Sequence, residues 1–459
     1  MLVQLTLLML LFANSDTKRT QHHQPHNGTC SNRLAPSLTG GKAGNPGMEI
    51  VITDMGIRHC LDKGVKEVEM MVQNITIPNI KVNIPGAQVL LHDIYVSKAS
   101  GGSYGYKLKN PNQILISFHS GQVELKGHWS YYETSKQYNV NGTFRGTTMN
   151  VTGYCNFALT RTASGAPQIS NARTSVTILN DFEVEVHTNE KTNQSQETSR
   201  RMMERYYELP LEPLISKALK NYITGPYNSK IGLYSVQQEV GPSEASLTLN
   251  TALASNPTIS KRGIEMPLKG QFKNLGVPFF PKSVERCNIS GAYNYLLISD
   301  YVFNTLLHNA HNKEILKNIL IDDTSNRSLP VEAVLKKPSV VQLSVGRCNW
   351  FADGTFKSKG KGHHTNISCG KFESEAECHV KQNGSQLHVE LSDVKTTVTK
   401  QCPSEVEDLD EKIATTMKQK INDFFRRYNF TIPTIPDTEV TQNRITLCTN
   451  TAVVIYETS

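Results

Sequence analysis

The sequence predicts an α+β protein of two domains, each a strongly curved antiparallel sheet backed by long helices. Three observations lead there. The chain has 459 residues, more than one ordinary core accommodates. Apolar periodicity changes from helical spacing near residues 54–72 to a period of two from Ile75 to Ile178, with evenly spaced short strands between Gly, Asn and Ser turns. The second half then repeats the order of the first: helix, strands, helix, final strand.

Met1 to Ser15 reads as a secretory signal. Its apolar run, Leu2 to Phe12, is too short to span a bilayer, and Ala13-Asn14-Ser15 supplies small residues before a cut at Asp16. Residues 16–44 are polar and carry Gly40, Gly41 and Gly44, the composition of a flexible leader. Asn45-Pro46-Gly47 turns into a strand, Met48 to Thr53, and Asp54 then caps a helix with Ile57, Leu61, Val65, Val68 and Val72 on one face. Ile114 to Phe118, Val123 to Gly127 and Val140 to Phe144 read as successive strands. Leu211 to Ile223 returns to helical spacing, with Pro210 and Pro213 in its first turn, where a missing N–H costs little.

Segment 225–283 is rich in Pro, Gly and Ser but holds strand-like pieces, among them Ala245 to Leu253 and Ile264 to Lys273. Leu296 to Thr305, LLISDYVFNT, is a buried strand running into a helix capped by Ser299, and its apolar stripe reads on through Leu306/Leu307, Ala310, Ile315/Leu316 and Ile319/Leu320. Leu409, Ile413, Met417, Ile421 and Phe424 form the face of a last helix. A proline turn from Phe430 to Pro436 then leads into a closing strand, Ile445 to Tyr456.

The string LLISDYVFNT closely resembles the segment that opens the C-terminal barrel in the bactericidal/permeability-increasing and lipopolysaccharide-binding protein family, to which plasma lipid-transfer proteins also belong. The opening asparagine-proline-glycine, the strand IEMPLKGQFK and the closing helix, proline turn and strand are similar to that family too, so the resemblance spans residues 44–459. It implies two elongated barrels joined by a central sheet in a boomerang. The bounds are then a signal peptide over 1–15, a leader over 16–44, an N-terminal lipid-binding barrel over 45–240, central strands and a proline-rich linker over 241–283, and a C-terminal lipid-binding barrel over 284–459.

The same resemblance implies an acyl-chain pocket between long helices and sheet, with Ile57, Leu61, Val65 and Val68 on the first helix and Leu214, Ala218 and Leu219 on the second. Gly127-His128-Trp129 falls where the family has glycine-lysine-tryptophan at a barrel tip, so Lys81, Trp129, Lys136 and Arg161 are the candidate anionic-lipid residues. Between 81 and 178 there are nine basic and three acidic residues, most of the surplus behind the chain's net +7. The tip loop itself, SYYETSKQY, carries one Lys and one Glu, against several basic residues in the strongest endotoxin binders. The family ties its first sheet to its second helix by a disulfide. Here no cysteine lies between Cys155 and Cys287, and the nearest substitute is Cys60 with Cys155.

Ten Asn-x-Ser/Thr sequons, at Asn27, Asn74, Asn141, Asn150, Asn193, Asn288, Asn326, Asn366, Asn383 and Asn429, fit a secreted, extracellular glycoprotein. Nine cysteines in an oxidising compartment should mostly pair. Cys348, Cys369, Cys378 and Cys402 cluster, with connectivity open, and no CxxC spacing favours zinc. His363/His364 would point to opposite faces of a strand, and His22, His23 and His26 sit in a polar leader, so no metal site is assigned. HExxH and phosphate-cradling loops are missing, as are the Lys/Arg blocks of a nucleic-acid binder. The expectation is a non-catalytic protein without cofactor. It binds phospholipid acyl chains and, on anionic bacterial membranes, lipopolysaccharide or lipid A, in an antimicrobial, innate-immunity role. A phospholipid or sterol-ester transfer protein is the alternative, and a secreted hydrolase the disfavoured one.

Overall fold

The computed structural model of the chain describes residues 38–133, 138–179, 183–188, 197, 200, 208–229, 234–273, 277–284, 291–321, 331–359, 366–400, 408–433 and 440–458. The segments read as signal and as most of the leader, with Asn27, Asn193, Asn288, Asn326, Lys136, Cys402 and the paired histidines, lie outside them. Two compact units form. One takes Ile57–Thr162 and Pro167–Leu233; the other takes the described parts of Ser15–Gly56, Ala163–Ala166 and Tyr234–Ser459.

In the first unit an antiparallel sheet runs in the order Ile80–Ile84, Ala87–Ser100, Gln113–Glu133, Tyr138–Arg161, Pro167–Ile178, with Ser103–Lys109 beside the third strand and Glu183–Thr188 beside the fourth. Its strands are long, and the three short ones expected between 114 and 144 are parts of two. Ser120 and Gly121, read as a turn, form a bulge within Gln113–Glu133. Register shifts recur across the sheet, and a residue with positive φ sits at each of several: Asp93 (52°), Ser120 (58°), Asn150 (62°) and Asn171 (51°). Each bulge bends its strand and adds twist, which curls the sheet.

Two helices lie against it. The first, α1, spans Asp54–Gln73, and the second, α2, spans Glu208–Tyr222. Because α2 starts before Leu211, Pro213 falls inside it rather than in its first turn. Leu211, Ile215 and Leu219 of α2 and Val72 of α1 join Val89, Leu91, Leu125, Trp129, Phe144 and Val151 of the sheet in one buried core. Polar bonds hold α2 to the last strand: Ser216 Oγ donates to Thr174 O at 3.0 Å, and Ile178 N donates to Glu212 Oε1 at 2.6 Å.

In the second unit, Met48–Ile52 pairs on one side with Gly263–Leu268 and on the other with Asn294–Ser299. The strand the sequence assigns to the N-terminal barrel is thus interior to a six-stranded antiparallel sheet of this unit, completed by Thr258–Ser260, Thr451–Thr458 and Val440–Cys448. The expected single closing strand is a hairpin, turned at Asn450 with φ 56°. A smaller sheet joins Gln237–Val240, Leu247–Asn250 and Gln271–Phe272.

Helix α3 spans Asp300–Asn312, and Ser299 caps it by accepting from Tyr301 N at 3.3 Å. The apolar stripe does not continue as helix to Leu320. Glu314 takes φ 63°, the chain leaves the helix, and Asn318–Ile321 is a strand that buries Ile319 and Ile321 and exposes Leu320. A curled sheet of Asn318–Ile321, Val331–Leu335, Arg347–Lys359, Asn366–Asn383, Gln386–Lys400 and Phe430–Thr431 follows, with Val340–Ser344 beside Arg347–Lys359. The last helix, α4, spans Leu409–Arg427 and buries Leu409, Ile413, Met417 and Ile421 almost completely. Asn422 fixes it by accepting from Leu391 N at 2.7 Å and donating to Leu391 O at 3.1 Å.

Candidate functional site: an apolar cavity

A cavity opens within the first unit between α1, α2 and the sheet. Residues four, three and four apart place Leu61, Val65, Val68 and Val72 on one face of α1, and that face forms one wall. Ile215, Leu219 and Tyr222 of α2, with Ile223 in the π-helical turn after it, form a second. Ala99, Ile116, Phe118, Val123, Val151 and Cys155 supply the sheet wall. The enclosed space is narrow, about 90 Å³, inside a cleft of about 930 Å³ counted to its open mouth. Its lining is almost entirely apolar, as a ligand of alkyl character requires. Gly101 helps set its width, since a Cβ there would lie 3.3 Å from Val65 Cγ1 and 3.8 Å from Glu69 Oε1.

Four of the seven expected pocket residues, Leu61, Val65, Val68 and Leu219, line this cavity. Ile57 is fully buried elsewhere in the packing, Leu214 packs against the core, and Ala218 does not reach the space. The face of α2 is turned by one residue from the expected one, because Glu212 and Ser216 are bonded to the last strand and rotate Ile215 and Leu219 inward. Sequence reasoning missed Ile215, Ile223 and the whole sheet wall. Strict alternation along Gln113–Glu133 could have suggested Ile116, but the bulge at Ser120 resets which face Val123 takes.

Cys155 does not pair with Cys60. It is a free, buried thiol in the sheet wall, and burial pushes its pKa up to about 12, so it remains protonated. In the second unit Cys348 and Cys378, cross-strand partners with Cα atoms 4.8 Å apart, form a disulfide, and Cys448 is disulfide-bonded as well.

The candidate tip does not assemble. Trp129 is completely buried in the core, where its Nε1 donates to His187 O at 3.4 Å. Lys81 is exposed and aligns, through Leu90 and Ser130, with Asn141. Arg161 closes the other end of the 24-residue strand Tyr138–Arg161. At ~3.3 Å per residue that is on the order of 60 Å of strand, so Arg161 and Lys81 cannot share one patch. Two basic residues instead share one carboxylate: Arg145 donates to Glu124 Oε2 at 2.6 Å, and Lys126 lies 3.5 Å from Glu124 Oε1. With Ser97 also donating, Glu124 is held down at a pKa of about 2.

Of the described sequons, Asn74, Asn141, Asn150 and Asn383 are exposed, and Asn429 is partly buried, with its Nδ2 donating to Gln386 Oε1 and Arg426 O. A second, wider cleft, about 1560 Å³, lies in the second unit. Its walls mix apolar and charged side chains, Lys336, Asp353, Glu375 and Lys395 among them. Among the described residues no group of His, Cys, Asp and Glu is arranged to hold a metal ion, and no helix is long and apolar enough to cross a membrane.

Two curled antiparallel sheets, each with its helices, define the class of fold, which is that of lipopolysaccharide-binding protein. A crystal structure of that protein superposes with a TM-score of 0.61 over 90% of this chain and 99% of its own, at 14% identity. In sequence the chain is 20% identical over 300 residues to lipopolysaccharide-binding protein of Bos taurus. That match takes in 63% of this chain and 60% of the bovine protein. No protein-family profile matches the chain. The sequence match and the fold match agree, and together they support the bactericidal/permeability-increasing and lipopolysaccharide-binding protein family.

Proposed function

We propose that this protein is a secreted, non-catalytic lipid-binding glycoprotein that sequesters acyl chains in the cavity of its first unit. The observation that carries this reading is the cavity itself, narrow and walled by aliphatic side chains from both helices and the sheet. Each ligand methylene buried there gains about 0.8 kcal/mol, so affinity rises with the length of chain inserted. Phospholipid is the natural source of such chains in an extracellular setting, and the exposed sequons suit a glycosylated surface.

Binding of bacterial lipopolysaccharide in innate defence is the finer reading. It is supported by the likeness to bovine lipopolysaccharide-binding protein. A carrier or transfer role without endotoxin recognition is favoured by a different observation: Trp129 is buried and Arg161 is at the far end of its strand, so the basic cluster expected at one tip is dispersed.

Native mass spectrometry of the secreted protein, with extraction and identification of bound lipid, tests the reading. Lipid should co-purify with the parent, and Val65→Glu or Leu219→Glu should reduce it. A folded variant of either kind with unchanged lipid content would sink the assignment.

A further inference from the structure

The wide cleft of the second unit has two chemically opposite ends. At one, Phe351 and Asp353 stand two apart on the strand Arg347–Lys359, and Glu375 and Glu373 face them across the ladder on Asn366–Asn383. Residues so placed project from the same side of a sheet. All four are exposed, whereas Ala352 and Ser374 between them are buried. A phenyl ring is therefore bordered by three carboxylates. Among the described residues none of the three is in an ion pair or a side-chain hydrogen bond. An aromatic face with such a border attracts a bulky cation.

The other end is the turn 336–339. Lys336 N donates to Asp353 O at 3.2 Å, and Val340 pairs with Phe351, so the turn lies beside the ring and the acids. It brings two exposed lysines, Lys336 and Lys337, to the cleft. Ser339 gives an independent pointer to a ligand. It lines the cleft at 3% exposure, yet its Oγ has no hydrogen-bond partner among the described residues. A buried hydroxyl left unpaired is costly, and a ligand oxygen would satisfy it. Ammonium groups beside a free hydroxyl suit an oxyanion. A bare anion brought to the cleft meets the carboxylates, and a bare cation meets the lysines. Its four lysines, Lys282 and Lys395 included, nearly balance its three acids, so net charge favours neither sign.

We propose that this cleft is a second, polar ligand site that takes a zwitterion of the phosphocholine kind. The quaternary ammonium sits against Phe351, Asp353, Glu373 and Glu375, and the phosphate against Lys336, Lys337 and Ser339. The site goes beyond the acyl-chain reading of the first unit and does not depend on it.

The test is calorimetric titration of the delipidated, full-length protein with phosphocholine, choline and inorganic phosphate. Phosphocholine should bind at least about tenfold more tightly than either half, because only it engages both ends. Phe351→Ala should weaken it about fivefold, as loss of a cation–π contact does. The double variant Lys336→Gln, Lys337→Gln should weaken it about tenfold, through loss of charge-assisted hydrogen bonds. All three side chains are exposed, so both variants should fold, and both should bind a fluorescent acyl-chain probe as the parent does. Competition separates the two sources of the group. Soluble phosphocholine that releases the protein from phosphatidylcholine vesicles assigns the site to a lipid headgroup, and binding without release assigns it to a soluble zwitterion; both outcomes support the site. Choline or phosphate binding as tightly as phosphocholine, phosphocholine affinity unchanged in both variants, or no phosphocholine binding at all overturns the inference. Failure of the parent to bind the acyl-chain probe overturns the acyl-chain reading instead.

Discussion

Filling the cavity at Gly101 separates ligand occupancy from stability. Gly101 lines the space, its N–H is held by Glu69, and its φ is not in the left-handed region, so a side chain is tolerated by the backbone. A Cβ there meets Val65 Cγ1 at 3.3 Å, a contact that a shift of a few tenths of an ångström relieves. Gly101→Leu sends three further carbons into room a ligand would use. Excluding three ligand methylenes at about 0.8 kcal/mol each removes ~2.4 kcal/mol of binding, a roughly 50-fold weaker Kd. Gly101→Ala, which adds only the Cβ, should weaken binding by less than about fivefold, since a single methylene is at stake. The assay is titration of the delipidated protein with a fluorescent acyl-chain probe, alongside a urea transition. Stability should move by no more than about 1 kcal/mol, because Gly101 is partly exposed and the added carbons enter existing space. A folded Gly101→Leu protein that binds the probe as tightly as the parent refutes the cavity as the binding site.

Trp129→Ala should destabilise the first unit by about 3–5 kcal/mol in a denaturant titration, as loss of a fully buried indole does; a change below about 1 kcal/mol would mean that the residue is exposed after all. Glu124 has a folded pKa depressed to about 2, so its contribution to stability is full above the ordinary carboxylate range, near 4.5, and is lost as pH falls toward 2. Glu124→Gln should flatten the stability profile between those values, and an unchanged slope would refute the assignment. Burial raises the Asp300 pKa to about 7, so its effect runs the other way: stability is greatest below about pH 4 and declines as pH rises through 7. Asp300→Asn should therefore raise the unfolding midpoint at pH 8 and leave it nearly unchanged at pH 4. Salt-sensitive binding to anionic vesicles should fall with Lys81→Gln and not with Arg161→Gln, and equal losses would restore a shared basic patch.

Helical periodicity made one wall of the cavity legible in advance. On α1 spacings of three and four point directly to Leu61, Val65 and Val68. On α2 the same reading misses by one residue, since Glu212 and Ser216 hydrogen-bond the neighbouring strand and rotate the helix in a way that hydrophobicity does not encode. The sheet wall was out of reach for another reason. Alternation assigns faces only along an uninterrupted strand, and a single residue in the left-handed region, Ser120 or Asn150, exchanges them. Trp129 shows the limit of resemblance: the string Gly127-His128-Trp129 matches in order, but pairing with Leu91 and Gly142 puts the indole in the core. Helix ends were equally hidden, because Ile315 to Leu320 fits a helical stripe and a strand, and only the conformation of Glu314 decides between them.

Met48–Ile52 has a consequence for how the chain is made. Both of its neighbours, Gly263–Leu268 and Asn294–Ser299, lie more than two hundred residues downstream. A ribosome adding about 5–20 residues per second delivers the second neighbour only some tens of seconds after the first strand emerges. During that interval the strand is an apolar segment with no ladder on either side, while everything needed for the first unit's sheet and both its helices is synthesised and free to close. A nascent chain stalled near residue 275, where the ribosomal tunnel still encloses Gly263–Leu268, should therefore show a protease-resistant first unit joined to a still-cleavable Met48–Ile52. Assembly of the six-stranded sheet waits for Thr451–Thr458, which makes it one of the last events of biosynthesis.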